Sequence, residues 1–323
     1  MKEALQVLDS IRLNFSEQGL FVLNITIALI MFGVALEIKL EHFRNIWNNK
    51  RYPVIGFISQ FLLLPVLTFL FCIVMSKWIT PTIAMGMILV ASCPGGNISN
   101  FITALAKGHA ALSVTLTAIA TIAAIVLTPL NFLFWGRLYT RYINMVNPES
   151  IVRPLEISPV DVFTTVFIII GIPLVLGMLF NSFFPKLTLK VKKPIKTISI
   201  LAFAGMLVAA FSANANYFVK YIKFIFLLVL LHNGIALLTG YTFARLNRCN
   251  DAVRRTITIE TGIQNSALAL VLLFNPNIFP LDLQNGGMAF IAAWWGIWHI
   301  LAGLTIAAVW SRNPPPRKDL AAT

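Results

Sequence analysis

Glu260 is the residue whose type and position stand out most in this sequence. It lies in the stretch TITIETGIQNSALAL, residues 256–270, inside an apolar run long enough to cross a bilayer. A carboxylate at that depth is costly unless a cation, a proton or a basic side chain neutralises it. Gly262, Gln264 and Asn265 follow shortly after it, where a plain spanning helix would be apolar. Glu260 is therefore a candidate for ion binding.

A second stretch of the same kind covers residues 91–107 and reads ASCPGGNISNFITALAK. Pro94 removes a backbone donor, and Gly95 and Gly96 loosen the chain, so we predict that this spanning helix is broken here. Freed backbone groups are tolerated in a membrane only where they are buried in protein or face a wet cavity. Two interrupted spans at corresponding places in two halves of a chain indicate the binding site of a secondary transporter.

Oxygen-bearing side chains near the first break could surround a hard cation such as sodium. Two of them directly follow the break. Two more lie four residues apart in the next span and so share one helix face, and a tight turn at residues 108–109 makes the two helices antiparallel neighbours. With the carboxylate they form a predicted cage of five side chains. These candidate ligands are Ser99, Asn100, Ser113, Thr117 and Glu260.

Each of these residues also has an ordinary structural explanation. Ser and Thr in membrane helices often bond the backbone or join two helices. Arg254 and Arg255, one to two turns before Glu260, could pair with its carboxylate. Gln60 and Gln264 are amides in apolar spans. They could donate carbonyl oxygens to a second cation near Glu260 or form an interhelical hydrogen bond worth about 1 kcal/mol.

The composition predicts a polytopic membrane protein. The chain has 323 residues, of which 58% are hydrophobic and 11% charged, whereas a soluble domain carries about 25% charged residues. The net charge of +13 comes mostly from Lys and Arg between the apolar runs, so we assign it to topology and expect no nucleic-acid partner. Cys72, Cys93 and Cys249 are too widely spaced to indicate a disulfide framework or a metal motif.

We predict an all-α fold with about nine transmembrane helices. A segment at 1–19 is amphipathic, with Leu5, Leu8, Ile11 and Phe15 on one face, and could lie at the membrane surface. The first half covers 20–135, a polar connection 136–158, and the second half 159–310. The tail 311–323 is expected to be disordered and cytoplasmic. The predicted spans are 20–37, 52–75, 82–107, 110–135, 159–181, 194–214, 218–244, 251–274 and 286–310.

The distribution of basic residues predicts the orientation of these spans. Most of the 25 Lys and Arg residues fall in loops after the first, third, fifth and seventh spans and in the tail. Positive loops face the cytoplasm, so we place the N-terminus outside, the C-terminus inside, and the protein in the cell (inner) membrane. Spans one to four would then match spans six to nine as an inverted repeat, which aligns the broken third span with the polar eighth.

The sequence resembles the bile acid:sodium symporter family over nearly its whole length. The resemblance rests on CPGGNISN with ALSVTLT, on ETGIQNSALA, on IMFGVAL in the first span, on Gln60 and Pro65, and on Trp298-His299. It implies inverted repeats that form a core domain and a panel domain, with two broken helices crossing in the core. It also implies sodium-driven symport of an organic anion by alternating access, with no enzymatic activity.

The resemblance also implies specific binding residues, two Na⁺ as coupling ions and no other cofactor. A first sodium site would use the five-residue cage named above. Asn97 and Ile300 depart from the family pattern where substrate should touch, so bile acids, steroid sulfates, pantothenate-like acids and keto acids all stay open as substrates. The second sodium site would use Gln60, Glu260, Gln264 and the carbonyls of Thr261 and Ile263; the substrate would lie near Asn97, Asn265 and His299.

Three other functions fit parts of the pattern. A proton-coupled organic anion transporter could use Glu260 as its titrating group, although the surrounding hydroxyls and amides favour a cation. An intramembrane hydrolase could pair Ser99 with His109 or His299, but no nucleophile motif surrounds Ser99. A channel filter usually needs a symmetric ring, which two unlike broken helices do not provide.

Overall fold

The computed structural model describes residues 2–10, 17–36, 50–146, 158–213, 215–275, 278–279 and 285–316. Every regular element in these ranges is a helix. In chain order they are α1 (Lys2–Ser10), α2 (Glu17–Ala35), α3 (Arg51–Met75), α4 (Pro81–Ser92), α5 (Ile98–Leu105), α6 (Ala110–Val146), α7 (Pro159–Phe183), α8 (Pro185–Ala213), α9 (Ala215–Leu246), α10 (Asp251–Gly262), α11 (Ser266–Phe274) and α12 (Gly286–Arg312).

The length and hydrophobicity of its helices indicate that the chain is a multi-pass membrane protein. Five described helices are long and apolar enough to cross a membrane, namely α3, α6, α7, most of α9, and α12. Shorter apolar helices lie at Asn24–Ala35 and Pro81–Ser92. The all-helical class is confirmed for the described residues. The count of nine spans, the inverted repeats and the division into core and panel stay predictions.

Helix contacts separate α2, α7 and α8 from most of the other helices. α2 packs mainly on α7 and α8, whereas α4 packs on α12 and α6, and α9 packs closely along α10. The two interrupted pairs, α4–α5 and α10–α11, lie within the larger group, where Trp295 of α12 is fully buried. Helices α4, α10 and α11 are therefore almost wholly buried, whereas α5 keeps an exposed face at Phe101 and Leu105.

Pro65 accounts for a π-helical turn at Ser59–Leu63 in α3. Proline has no N–H to donate to the carbonyl four residues earlier, which is that of Phe61. Asn131 of α6 donates its side-chain Nδ2 to this carbonyl at 3.0 Å. A polar side chain from a neighbouring helix thus satisfies a group that the sequence leaves unpaired in an apolar environment.

Several helix ends differ from the predicted span boundaries. α6 continues beyond Trp135 to Val146, because Tyr139 and Ile143 are buried at helical spacing and extend its packed face. α8 begins at Pro185 rather than at Pro194, which lies inside that helix. Residues 136–146 of the predicted connection therefore belong to α6. Residues 37–49 in the basic loop after the first span, residues 147–157 of the connection and the last seven residues lie outside the described residues.

The N-terminal helix α1 packs on the protein. Leu5 and Leu8 are fully buried, and α1 contacts α12 and α9; Ile11 and Phe15 lie outside the described residues. Asp9 accepts a hydrogen bond from Thr80 Oγ1 at 2.9 Å and another from Thr82 Oγ1. The predicted apolar face of α1 therefore packs against other helices, and the Asp9 carboxylate holds α1 to the start of α4.

Asp9 predicts a pH dependence of stability. Burial raises the pKa of its carboxyl from 3.8 to about 6, against the two threonine hydrogen bonds, which lower it. The folded state then binds this proton more tightly than the unfolded state. The stabilisation from protonating this carboxyl is complete below pH 4 and is lost as the pH rises to about 6. The free energy of unfolding should fall by about 3 kcal/mol over this range.

The measurement compares thermal unfolding of the wild type and Asp9→Asn in detergent between pH 4 and pH 7. The difference in melting temperature between the two proteins should change with pH across this window. Glu3→Gln, an exposed carboxylate on the same helix, serves as the control. Parallel curves for Asp9→Asn and the wild type would contradict the prediction.

Candidate functional site

The two interrupted spans meet at their breaks. Between α4 and α5, and again between α10 and α11, the chain is extended for a few residues and the two segments form an antiparallel bridge. The Gly96 N–H donates to the Ile263 carbonyl at 2.7 Å, and the Asn265 N–H donates to the Pro94 carbonyl at 2.8 Å. Each break therefore satisfies backbone groups that the other leaves free.

Two glycines make this approach possible. A Cβ on Gly96 would lie 2.9 Å from the Gln264 carbonyl oxygen, and one on Gly95 would lie 3.2 Å from Glu260 Oε2. A side chain at Gly96 would thus collide with the partner segment, and one at Gly95 would press tightly against the buried carboxylate.

Glu260 lies at the centre of a hydroxyl cluster beside this crossing. Its side chain is 5% exposed. Its Oε1 accepts a hydrogen bond from Ser99 Oγ at 2.7 Å and another from Ser113 Oγ, and its Oε2 accepts one from Thr117 Oγ1 at 3.1 Å. Three hydroxyls from α5 and α6 thus converge on a single buried carboxylate.

Asn100 completes this cluster. Its Oδ1 lies 2.8 Å from Ser113 Oγ and 3.2 Å from Thr117 Oγ1. Thr103 Oγ1, which sequence reasoning missed, lies 3.3 Å from Ser113 Oγ. The structure therefore brings together all five residues of the predicted first sodium site, although their role as ligands stays a prediction.

The residues of the predicted second sodium site form a neighbouring chain of hydrogen bonds. Gln60 Nε2 donates to Gln264 Oε1 at 2.8 Å and to the Cys93 carbonyl at 3.1 Å. Gln264 Nε2 in turn donates to the Thr261 carbonyl at 2.7 Å. Gln60 and Glu260 also line one small cavity. The residues of the two predicted sites are adjacent, and the carbonyls of Thr261 and Ile263 lie at the end of α10 and in the break that follows it.

A cavity of about 400 Å³ opens on the other side of the crossing. All three residues predicted to touch substrate, Asn97, Asn265 and His299, line it together with the starts of α5 and α11. α2 and α8 form the opposite wall. Among the described residues that line this cavity there is no Lys and no Arg. Its polar groups are therefore amides, hydroxyls and an imidazole.

The two arginines before Glu260 do not pair with it among the described contacts. Arg254 and Arg255 both form ion pairs with Asp251, the latter at 2.6 Å. Arg255 also donates to the carbonyls of Ala106 and Trp310, each at 2.9 Å, and so ties the ends of α5 and α12 to α10. Among the described contacts, these arginines therefore pair with Asp251 at the start of α10 in place of Glu260.

Ser99 has no histidine among its hydrogen-bond partners in the described part of the chain. Its hydroxyl contacts Glu260 and Thr117. His109 Nδ1 accepts the backbone N–H of Leu112 at 2.9 Å and so forms part of the turn before α6. Among the described residues, Ser99 therefore belongs to the Glu260 cluster and His109 to the turn before α6.

Sequence reasoning missed further polar residues around the breaks. Ser59 Oγ lies 2.8 Å from Thr261 Oγ1, and Asn233 Nδ2 donates to the Gly262 carbonyl at 2.7 Å. His232 Nε2 lies 2.7 Å from Thr68 Oγ1. Two adjacent polar residues, His232 and Asn233, interrupt the apolar run LLVLLHNGIALL, and this pattern could have indicated a polar contact there.

Comparison with known proteins identifies the family of this chain. The family model described as the sodium bile acid symporter family matches residues 24–221, more than half of the chain. The chain belongs to the sodium bile acid symporter family. It is therefore a sodium-dependent membrane transporter, as the resemblance in its motifs indicated.

Relatives in this symporter family extend over most of the chain. The Bacillus subtilis protein named uncharacterized sodium-dependent transporter YocS is 30% identical over 93% of this chain and 88% of its own length. The Arabidopsis thaliana protein named probable sodium/metabolite cotransporter BASS1, chloroplastic, is 28% identical over 91% and 67%. The mouse sodium-dependent organic anion transporter is 29% identical over 88% and 72%. All three are named as transporters rather than enzymes.

Gly96→Ala should disrupt the crossing. The added methyl would lie 2.9 Å from the Gln264 carbonyl, so the paired segments must separate and lose a hydrogen bond in an apolar interior, at a cost of about 1–3 kcal/mol. Thermal unfolding in detergent should show a fall of several degrees. Gly234→Ala, where nothing lies within 4 Å of the new methyl, is the control and should leave the melting temperature unchanged or raise it slightly. Equal melting temperatures for the two variants would contradict the prediction.

Proposed function

We propose that this symporter couples the inward movement of two sodium ions to uptake of a small organic anion by alternating access. The main support for sodium binding is that the Glu260 cluster contains more acceptor oxygens than its hydroxyl hydrogens can pair with. Ser113 and Thr117 each contact both Glu260 and Asn100 Oδ1, yet a hydroxyl has only one hydrogen to donate. A cation at this place would compensate the remaining oxygen–oxygen contacts.

The chemistry of the cluster favours sodium over a proton. A hard monovalent cation prefers several neutral oxygens and one carboxylate, which is the composition of this set. Three hydroxyls donate to Glu260, and such donors stabilise the ionised carboxylate rather than the protonated acid. We assign the first sodium ion to Ser99, Asn100, Ser113, Thr117 and Glu260.

A second ion fits beside the first at the break between α10 and α11. Gln60 and Gln264 present side-chain amides there, and the carbonyl of Ile263 keeps a lone pair free after accepting the Gly96 N–H. Gln60 Oε1 is buried and has no hydrogen-bond partner among the described residues. We assign the second ion to Gln60, Glu260, Gln264 and the carbonyls of Thr261 and Ile263.

The 400 Å³ cavity suits an anion of modest size. α5 and α11 both begin at this cavity, and helix N-termini carry partial positive charge that attracts anions. Asn97 and Asn265 precede these helices, and Asn265 Oδ1 accepts the Leu268 N–H at 3.0 Å, which leaves its amide Nδ2 as a donor. Small carboxylates such as keto acids and pantothenate-like acids, and compact bile acids or steroid sulfates, are the candidate substrates.

Coupling between sodium and substrate follows because both would bind next to the same two helix breaks. Sodium would order both breaks, and the ordered breaks orient the starts of α5 and α11 towards the anion, so each ligand strengthens binding of the other. In this proposal the helices α2, α7 and α8 form the panel and the remaining spans form the core. The core rocks against the panel to alternate access, with the N-terminus outside and the C-terminus in the cytoplasm.

Sodium should protect the purified protein against heat, and Glu260→Gln should abolish this protection. A ligand that binds only the folded state stabilises it by about 2.7 kcal/mol at one hundred times its dissociation constant. Melting temperatures are measured in NaCl and in KCl of equal ionic strength. Asp161→Asn is the control, because Asp161 lines a separate cavity beside Asn24 and Asn275 and should keep the full response.

Two outcomes would contradict the proposal. No sodium response in the wild type would remove sodium as the coupling ion at this site. A wild-type response to pH in place of sodium, lost in Glu260→Gln, would favour the proton-coupled alternative.

His299→Leu should weaken anion binding while leaving sodium binding intact. His299 is 4% exposed, lines the cavity, and its Nδ1 has no hydrogen-bond partner among the described residues. Taurocholate, pantothenate and pyruvate are screened by thermal shift in sodium buffer. The concentration of the active anion that gives half protection should rise about tenfold in His299→Leu, as expected when one hydrogen bond to a charged group is lost.

Leu301→Ala is the control for this experiment, since Leu301 lies two residues further on and is 50% exposed. The sodium midpoint should stay unchanged in both variants. An unchanged anion midpoint in His299→Leu would exclude His299 from the substrate site.

A further inference from the structure

Asn233 of α9 is a buried amide that none of the proposed binding sites uses. Its side chain is 1% exposed. Its Nδ2 donates to the Gly262 carbonyl at 2.7 Å, while its Oδ1 is buried without a hydrogen-bond partner in the part of the chain that the structure describes. A half-satisfied amide in an apolar span is costly, so its position calls for a specific role.

The acceptor of this hydrogen bond lies at the break of the second interrupted span. Gly262 is the last residue of α10, and the N–H of Ser266, its partner in an unbroken helix, bonds to the Gln264 carbonyl instead. Gly262 also lies between Thr261 and Ile263, whose carbonyls are assigned to the second sodium ion. The Gly262 carbonyl belongs to the peptide plane between the two planes that carry the Thr261 and Ile263 oxygens, so holding it restrains both neighbouring planes.

Gln60 makes the equivalent contact at the other break. Its Nε2 donates to the carbonyl of Cys93, which caps the end of α4. Each amide thus lies in the span immediately before an interrupted span and donates to the carbonyl where that span breaks. In both, the side-chain oxygen has no hydrogen-bond partner among the described residues. The similarity indicates that Asn233 serves the second break as Gln60 serves the first.

The contact between α9 and α10 gives Asn233 a rigid base. A Cβ on Gly240 would lie 2.7 Å from the Ile257 carbonyl, and one on Gly262 would lie 2.3 Å from Leu237 Cδ2. The two backbones are therefore so close that α9 cannot shift along α10 without repacking. A side chain on α9 can then define the position of a carbonyl at the end of α10.

We propose that Asn233 is a positioning residue that sets the affinity of the second sodium site without coordinating the ion. Its amide holds the Gly262 carbonyl and so restrains the two adjacent peptide planes, which carry the Thr261 and Ile263 carbonyls. This inference rests on the sodium coupling proposed above. Loss of the amide donor would leave the transport cycle in place but would require more sodium to order the break.

The test measures sodium-dependent uptake into proteoliposomes for Asn233→Leu and Asn233→Ala. The radiolabelled probe is taurocholate, pantothenate or pyruvate, whichever gives the largest thermal shift with the wild type in sodium buffer. The sodium concentration for half-maximal uptake should rise about tenfold in both variants, the change expected when one orienting hydrogen bond is lost. The maximal rate at saturating sodium should stay within about threefold of the wild type. Thr239→Val is the matched control, because Thr239 is buried on the same helix and its hydroxyl, among the described contacts, donates to the Ile235 carbonyl of that helix alone.

The possible outcomes separate this inference from the proposed function. If uptake by the wild type and by Thr239→Val did not depend on sodium, the proposed function itself would be wrong. A sodium-dependent wild type with an unchanged midpoint in the Asn233 variants would overturn the inference alone. A lower maximal rate at an unchanged midpoint, or failure of both Asn233 variants to fold while Thr239→Val folds, would assign Asn233 a purely structural role and also overturn it.

Discussion

The burial of the Glu260 carboxylate is the constraint on which the rest of the structure depends. A charged group that is 5% exposed must be surrounded by donors or by a cation, since transfer into an apolar interior is otherwise costly. The donors come from two helices, and they reach it because α5 begins directly after the first break and α6 returns beside it. The position of Pro94, the turn at residues 108–109 and the spacing of Ser113 and Thr117 all contribute to one cluster.

Side chains from neighbouring helices satisfy the backbone groups that proline and the helix breaks leave free. Asn131 serves the carbonyl freed by Pro65, Gln60 serves the end of α4, and Asn233 serves the end of α10. Arg255 satisfies carbonyls at the ends of α5 and α12. Irregular backbone in the interior of this transporter is thus supported by polar side chains that are otherwise rare in spanning helices.

The first break and the Glu260 cluster could be predicted because their signals are local. Proline, glycine and a carboxylate inside apolar runs are visible in a single stretch of sequence, and Ser113 and Thr117 share a face at a fixed spacing. The contact of Asn233 with Gly262 could not be predicted in this way, since it depends on how α9 and α10 are aligned. The end of α6 differed from expectation because Tyr139 and Ile143 extend its buried face although the surrounding sequence is polar.

The pairing of the two breaks also has a consequence for biosynthesis. The segment at Pro94 emerges from the ribosome about 170 residues before its partner at Asn265, so its free carbonyl and N–H groups have no partner when α4 and α5 first reach the membrane. Lipid cannot satisfy them. The first half of the chain must therefore keep this segment hydrated or shielded until the second half is inserted, and the crossing closes only as one of the last steps of assembly.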